Sequence, residues 1–373
     1  MKIFYDLIYF EKEEYGGTSR MWEEYLRRVC VENLRVVFFG KLHVKNSTMD
    51  FLKKVNFCNT KVIRKLQIAN RVVSKILSLY IVNSALLPRK DIKNVDIFHS
   101  TGFSNPIIKP RNIKIVTTIH DMVFWDQKSV LRKSISYWDH VIGIYHSLKV
   151  SDQIITVSET SKQSIVKHYP WAEKKIKVIY HGLSKDFIGL SINKEKEKYF
   201  LFIGARNQHK NYDLLLRVFS KLVKNGAGYK LYVFGQNSHT RKPERLRYRE
   251  LGIADHVFDY GTVSQEKAVE LIQNSTAVVI PSINEGFNFP LLEGMACGAP
   301  VLSSNIPVSR EIGKDYVQYF NNNEQSLFDL MQNTIRNGVE YDRLKRAQEY
   351  AWTFDWDRSY RELLNVYKSC IQN

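Results

Sequence analysis

Two carboxylates eight positions apart bracket the run Glu285-Gly-Phe-Asn-Phe-Pro-Leu-Leu-Glu293. A loop containing Gly286 leads there into Pro290, a residue suited to the first turn of a helix. Free loop N–H groups and a helix N-terminus together favour an anion. Carboxylates at both ends can accept hydrogen bonds from hydroxyls, which is how a sugar is oriented. The plainer alternative is a solvated cap with two incidental acids. A second cluster, Phe202-Ile-Gly-Ala-Arg206-Asn-Gln-His-Lys210-Asn, places a glycine and a short basic loop between an apolar run and an amphipathic one. Arg206 could grip a phosphate with two donors, and Lys210 would add a mobile point charge. Surface charge ahead of a helix is also common without any ligand.

Three smaller signals lie in the first half. Tyr15-Gly-Gly17-Thr-Ser-Arg20 puts adjacent glycines before a helical pattern, where backbone can approach a ligand closely. A full G-x-G-x-x-G is missing, which argues against a dinucleotide fold. His120, in Thr118-Ile-His-Asp121, and His99, in Phe98-His-Ser100, each close an apolar run. Either is read as a structural histidine or as a group lining a site, His99 on the acceptor side.

These groups need strands to hold them. Short β-branched or aromatic runs at 2–10, 35–39, 95–99, 114–119, 153–157 and 177–180 alternate with longer amphipathic stretches. A second series follows at 199–203, 230–234, 257–260, 277–280 and 300–303. Such alternation predicts parallel sheets with helices on both faces, and ligands collect at the carboxyl ends of those strands. The polar stretch 191–198 marks the expected boundary, followed at once by a fresh apolar strand. The predicted layout is 1–190, 191–351, and a final helix over 352–373 that returns to the first domain.

The run 277–301, with its two glutamates and the following Met295-Ala-Cys-Gly-Ala-Pro300, resembles the signature of glycosyltransferase family 4. Asn288 departs from it, standing where Gly is more usual. The resemblance implies an α/β GT-B architecture, with two doubly wound Rossmann-like domains facing across a cleft. It implies retaining, metal-independent hexosyl transfer, with Glu285 on the donor hexose and Glu293 on the ribose diol. Backbone of Gly286, Phe287, Asn288 and Phe289 would meet the sugar, with Asn288 tuning which hydroxyl is met. The helix start at Leu291 and Leu292 would meet the diphosphate. Arg206 and Lys210 would hold and stabilise that diphosphate as it leaves. His120 would support the reaction beside the sugar, Gly17 would face the phosphates, and Arg20 would lie on the acceptor side.

The same resemblance points to bacterial polysaccharide enzymes. The implied donor is GDP-mannose, with UDP- or dTDP-sugars as alternatives, and no separate cofactor. The implied acceptor is a glycan or a polyprenyl-diphosphate-linked glycan. A sugar-nucleotide epimerase of the same architecture, or a non-enzymatic polyanion binder, are the rival readings; an epimerase would convert the donor without any acceptor. Asp355-Trp-Asp357 matches a D-x-D, but it lies away from any strand end, so aromatic packing is expected there and no metal.

Bulk composition sets the remaining limits. The chain has 373 residues, 44% hydrophobic and 25% charged, which suits two ordinary domains. Its four cysteines form no C-x-x-C pair, which predicts reduced thiols in the cytoplasm. No apolar run is long enough for a membrane span. Net charge is +17, and residues 1–190 carry 31 Lys and Arg against 17 Asp and Glu. Residues 51–93 alone hold ten bases and one acid. Segment 53–93 is therefore either an amphipathic helix packed on the sheet or a face for an anionic membrane on the cytoplasmic side. Nucleic acid is not expected as a partner.

Overall fold

Strand-forming runs with little polar content become parallel strands here because both of their faces are covered. In β4 (Lys114–Ile119) and β10 (Ser275–Ile280) nearly every residue is buried. The structure, a computed structural model, describes residues 1–6, 17–31, 35–39, 95–102, 105–106, 109, 111–123, 135–206, 208–235 and 242–372. The basic segment 53–93 lies outside the described residues. The chain divides into two compact units, one of 1–180 with 357–373 and one of 181–356.

The first unit contains β1 (Lys2–Asp6), α1 (Gly17–Val31), β2 (Arg35–Phe39), β3 (Ile97–Ser100) and β4. It continues through α2 (Ile135–Val150), β5 (Gln153–Thr156), α3 (Glu159–His168) and β6 (Ile176–Val178). The strand order is β2-β1-β3-β4-β5-β6, and every described pair is parallel. The order reverses between β1 and β3, so the loops after those two strands diverge at a topological switch point. Ser158 starts α3 by accepting a hydrogen bond from the Ser161 N–H at 3.1 Å, satisfying one of the helix's orphan donors.

The second unit has β7 (Glu197–Ile203), α4 (Tyr212–Lys224), β8 (Lys230–Phe234), α5 (Lys242–Glu250), β9 (Val257–Asp259), α6 (Gln265–Gln273) and β10. Then come α7 (Phe289–Ala296), β11 (Val301–Ser304), α8 (Pro307–Gly313), β12 (Gln318–Phe320), α9 (Glu324–Asn337) and α10 (Tyr341–Ala351). Its order, β12-β11-β10-β7-β8-β9, reverses between β7 and β10. Helix α4 shows how the core forms. Leu214, Leu215, Val218, Phe219 and Leu222 recur at helical spacing and pack on Phe200, Phe202, Leu231 and Val233 of the sheet. Each such side chain contributes about 1.5–3 kcal/mol of hydrophobic stabilisation when fully buried.

The final helix, α11 (Trp356–Gln372), belongs to the first unit from Asp357 onward. Its Tyr367 hydroxyl meets the Tyr5 hydroxyl at 2.8 Å and also the His99 ring. Asp357 accepts from Arg28 of α1 at 2.7 Å, which gives the second acid of the D-x-D a structural partner.

The units part at Tyr180/His181, ten residues ahead of the sequence-based boundary. Residues 181–196 look like a linker because many are polar, but their backbone is engaged by the second unit. Leu183 N–H donates to the Phe354 carbonyl at 2.9 Å, and the Phe187 carbonyl accepts from the Trp352 indole at 2.8 Å. Lys196 donates to the Gln273 carbonyl at 2.6 Å. No helix among the described residues is long and apolar enough to cross a membrane.

Candidate functional site

The switch point of the second sheet brings together the loops after β7 and β10, the two that carry the strongest sequence signals. Close backbone packing prepares the first of them. Gly204 has φ +126, and a Cβ on the neighbouring Gly235 would lie 2.8 Å from the Gly204 nitrogen. Only glycine fits such an approach, so the chain can leave β7 directly against the end of β8. The Ile283 N–H then donates to the His209 carbonyl at 2.8 Å, tying the β10 loop to the β7 loop.

Across that junction the Lys210 ammonium donates to Glu285 Oε1 at 2.6 Å, and the Ser282 hydroxyl donates to the same oxygen at 2.7 Å. Glu285 Oε2 takes no hydrogen bond from any described residue. Two of the predicted groups are therefore adjacent, joined as an ion pair. Ser282 carried no sequence signal; its position at the end of a buried strand, three residues before Glu285, was the only clue.

Arg206 is more enclosed than Lys210. Its side chain is only 4% exposed, with Nη2 2.6 Å from Asp259 and Nη1 3.3 Å from Glu244. Burial alone would lower its pKa, but Asp259 and Glu244 outweigh it and hold the guanidinium firmly charged. Asp259 ends β9 and Glu244 sits in the first turn of α5, so Arg206 links three elements. In this arrangement Arg206 is paired with two carboxylates, while Lys210 faces Glu285.

Helix α7 and the residue before it place three more of the expected residues. Asn288 has φ +71, the left-handed region, which explains why glycine would be at home there and why Asn is tolerated. Its side chain is turned inward. The residue is 2% exposed, and Nδ2 donates to the Ser309 hydroxyl at 3.0 Å, which also bonds the Ser303 hydroxyl at 3.0 Å. The amide nitrogen therefore braces the loop against β11 and α8. Leu291 and Leu292 N–H groups donate to the Asn288 carbonyl at 3.1 and 3.4 Å, and Pro290 has no N–H. Both N–H groups assigned to the diphosphate are already engaged by the helix's own first turn. Gly286 stays partly exposed, Phe287 is buried, and Phe289 is partly exposed. Glu293 is buried in α7.

His181 was not singled out by its sequence, although Tyr180-His-Gly182 repeats the strand-end pattern that drew attention to His120. Its ring stacks on Phe289 at 5.0 Å with a 4° interplanar angle, and meets Phe287 at 4.8 Å.

In the first unit, Gly17 opens α1 and is exposed, and Arg20 lies partly buried on its first turn. His120 follows β4, with its carbonyl accepting from the Ser161 hydroxyl at 3.2 Å. Burial lowers its pKa to about 4, against the opposing effect of a backbone hydrogen bond at Thr101. It is neutral at any physiological pH and offers a hydrogen bond without charge. Asp121 accepts from the Val123 N–H at 3.0 Å, a turn-capping role. His99 is 0% exposed, with Nε2 2.8 Å from the Thr118 hydroxyl and Nδ1 on Tyr367. Burial, then the nearby His120, lower its pKa to about 3. Tyr5, Trp22 and Tyr367 enclose the ring in the core of the first unit.

Both halves of the chain are similar to known proteins. Residues 15–187 match the family model described as Glycosyltransferase Family 4, and residues 186–351 match that of Glycosyl transferases group 1. The O-antigen chain mannosyltransferase RfbU of Salmonella typhimurium is 31% identical over 267 residues, 71% of each chain. The O-antigen chain mannosyltransferase B of Escherichia coli is 26% identical over 73% of this chain and 74% of its own. Among solved structures, the Anabaena HepE in complex with UDP-glucose superposes with a TM-score of 0.72 at 13% identity, covering 99% of this chain and 100% of that one.

Proposed function

Because the chain belongs to glycosyltransferase family 4, we propose that it moves mannose from GDP-mannose to a glycan or lipid-linked acceptor during synthesis of a cell-surface polysaccharide. The observation that carries this reading is the Lys210–Glu285 pair at the switch point of the second sheet. An ammonium and a carboxylate held 2.6 Å apart are the two charges a sugar diphosphate would separate, the phosphate drawing the cation and the hydroxyls the carboxylate. Mannose is supported by the names of the two O-antigen relatives.

In the proposed step the bond from the anomeric carbon to the leaving diphosphate breaks, and its electron pair stays on the phosphate oxygen. The acceptor hydroxyl bonds to the anomeric carbon from the same face, so configuration is retained, and its proton passes to that phosphate oxygen. Lys210 stabilises the charge that develops, an effect strongest where water is scarce. Glu285 holds donor hydroxyls, and by family resemblance Glu293 serves the ribose. Gly17 serves the phosphates by the same resemblance, and Arg20 the acceptor. His120 is assigned a neutral hydrogen bond to the sugar. No step calls for a metal.

Thermal stabilisation by a panel of nucleotide sugars tests the donor. A ligand at a hundred times its Kd adds about 2.7 kcal/mol, which is easily seen as a rise in Tm. GDP-mannose is expected to give the largest rise. A larger one with a UDP- or dTDP-sugar sinks the mannose reading, and no response to any of them sinks the donor site. Turnover of the donor without an acceptor would instead indicate an epimerase.

Peripheral contact with an anionic bilayer is part of the proposal. On the first unit Ile142, Tyr145 and Trp171 are 50%, 47% and 45% exposed. Lys149 lies over the Trp171 ring at 4.7 Å, and Lys175 has its pKa lowered chiefly by burial, with Asp152 opposing and Lys109 and Lys149 adding to the fall. Aromatic and basic groups side by side suit a lipid headgroup layer. The protein is expected to sediment with vesicles rich in anionic lipid at low salt, and Trp171→Ala with Tyr145→Ala to weaken this. Equal recovery with neutral vesicles would refute it.

A further inference from the structure

The loop that carries Glu285 ends in two phenylalanines, and neither rests on the sheet alone. Phe289 lies parallel to the His181 ring at 5.0 Å, and Phe287 meets the same ring edge-on at 4.8 Å. On another side His181 packs against Trp356 at 5.4 Å, and Phe289 is itself 6.4 Å from that indole. Phe354 reaches Phe287 at 6.0 Å. His181 is 3% exposed and begins the second unit, and Trp356 ends it.

Such packing needs the chain at 182 to lie against the chain at 356, and glycine makes that possible. A Cβ on Gly182 would sit 2.2 Å from the Trp356 nitrogen and 2.6 Å from its Cα. Both atoms are backbone and cannot be swung aside. The Leu183 to Phe354 hydrogen bond at 2.9 Å fixes the register of these two segments. The His181 ring is thus set by backbone on both sides before it meets the loop.

We propose that His181 is a positioning residue, whose ring, supported by Trp356, fixes the path of the 281–289 loop and so the placement of Glu285 on the donor. The inference rests on the reading that this loop holds the nucleotide sugar. Glu285 is four residues from Phe289, so a displaced aromatic anchor moves the carboxylate relative to Lys210. Catalytic geometry is sensitive to misplacements of about 1 Å. Aromatic pairs gain from offset-stacked and edge-on geometry beyond simple burial, so another aromatic ring should serve where an aliphatic side chain does not.

The test compares His181→Phe with His181→Leu, two apolar replacements that differ in whether a ring remains. Steady-state kinetics are measured against donor and acceptor separately, with Tm as a check on folding. His181→Leu is expected to raise the donor KM about tenfold and lower kcat several-fold, with the acceptor KM unchanged. His181→Phe is expected to stay within about threefold of the parent in all three constants. Equal kinetics for the two variants, whether both intact or both impaired, would overturn the proposal. So would a loss confined to the acceptor KM. Nucleotide-sugar stabilisation of the parent protein separates this from failure of the donor site itself. If the parent responds to no donor, the underlying reading fails; if it responds and the variants do not differ, only the role of His181 fails.

Discussion

Replacing Lys210 with alanine is expected to lower kcat by about 10²–10³-fold, the usual cost of removing one preorganised group that stabilises developing negative charge. Folding should suffer less than turnover. Lys210 and Glu285 are 17% and 10% exposed, and Glu285 keeps its bond from Ser282 when the ammonium is gone. A loss of about 1–3 kcal/mol is therefore expected, between that of a surface pair and that of a fully enclosed one. The separation of the two effects is the point of the experiment. A variant that keeps kcat within about threefold of the parent would remove Lys210 from the reaction. A variant that melts far earlier would instead make the Lys210–Glu285 pair a structural bridge.

Arg206→Ala is expected to give the opposite pattern. Its guanidinium is enclosed with Asp259 and Glu244, and deleting it leaves two carboxylates without their shared cation. Breaking one partner out of a buried charge cluster costs roughly 3–5 kcal/mol, because the remaining charges stay desolvated. That is a large share of the stability of an ordinary domain. Chemical denaturation followed by circular dichroism would measure it. Replacing all three charges together, by Arg206→Met, Asp259→Leu and Glu244→Leu, should recover much of the loss, since an apolar cluster leaves no charge unpaired. If Arg206→Ala kept the parent's stability but lost turnover, Arg206 would be a diphosphate ligand after all and the strut reading would fall. Measured side by side, the two variants distinguish the cation that serves the reaction from the one that holds the loop.

The contrast between these residues also shows where sequence was and was not a sufficient guide. Both are basic, both follow β7, and four positions separate them. Nothing in residue type or local spacing distinguishes them. The partners that do so are remote: Glu244 and Asp259 lie 38 and 53 residues beyond Arg206, on α5 and β9, and Glu285 lies 75 beyond Lys210. His99 and His120 pose the same problem. Each closes a strand, and only the packing of Tyr5, Trp22 and Tyr367 around His99 reveals it as part of the core. Asn288 was legible as an exception, because a non-glycine residue stood where glycine is usual. That its amide points to Ser309 required the fold of β11 and α8.

Much was determined by the sequence alone. Periodic apolar runs specify parallel strands and covering helices, since those patterns bury themselves efficiently in no other way. The contiguous run 277–301 carries its family on its face, because the chemistry of a strand, a loop and a helix start is local. Its two glutamates and the glycine-led basic loop after β7 are accordingly visible as candidates in the sequence. What only the tertiary structure decided are the pairings across the sheet order. β7 and β10 are neighbours although 71 residues separate the end of one from the start of the other. That adjacency brings Lys210 to Glu285, while the end of β9 claims Arg206. The physical reason is that a charge is assigned by whatever lies within a few ångströms of it, and in a doubly wound sheet those neighbours are set by strand order and not by distance along the chain.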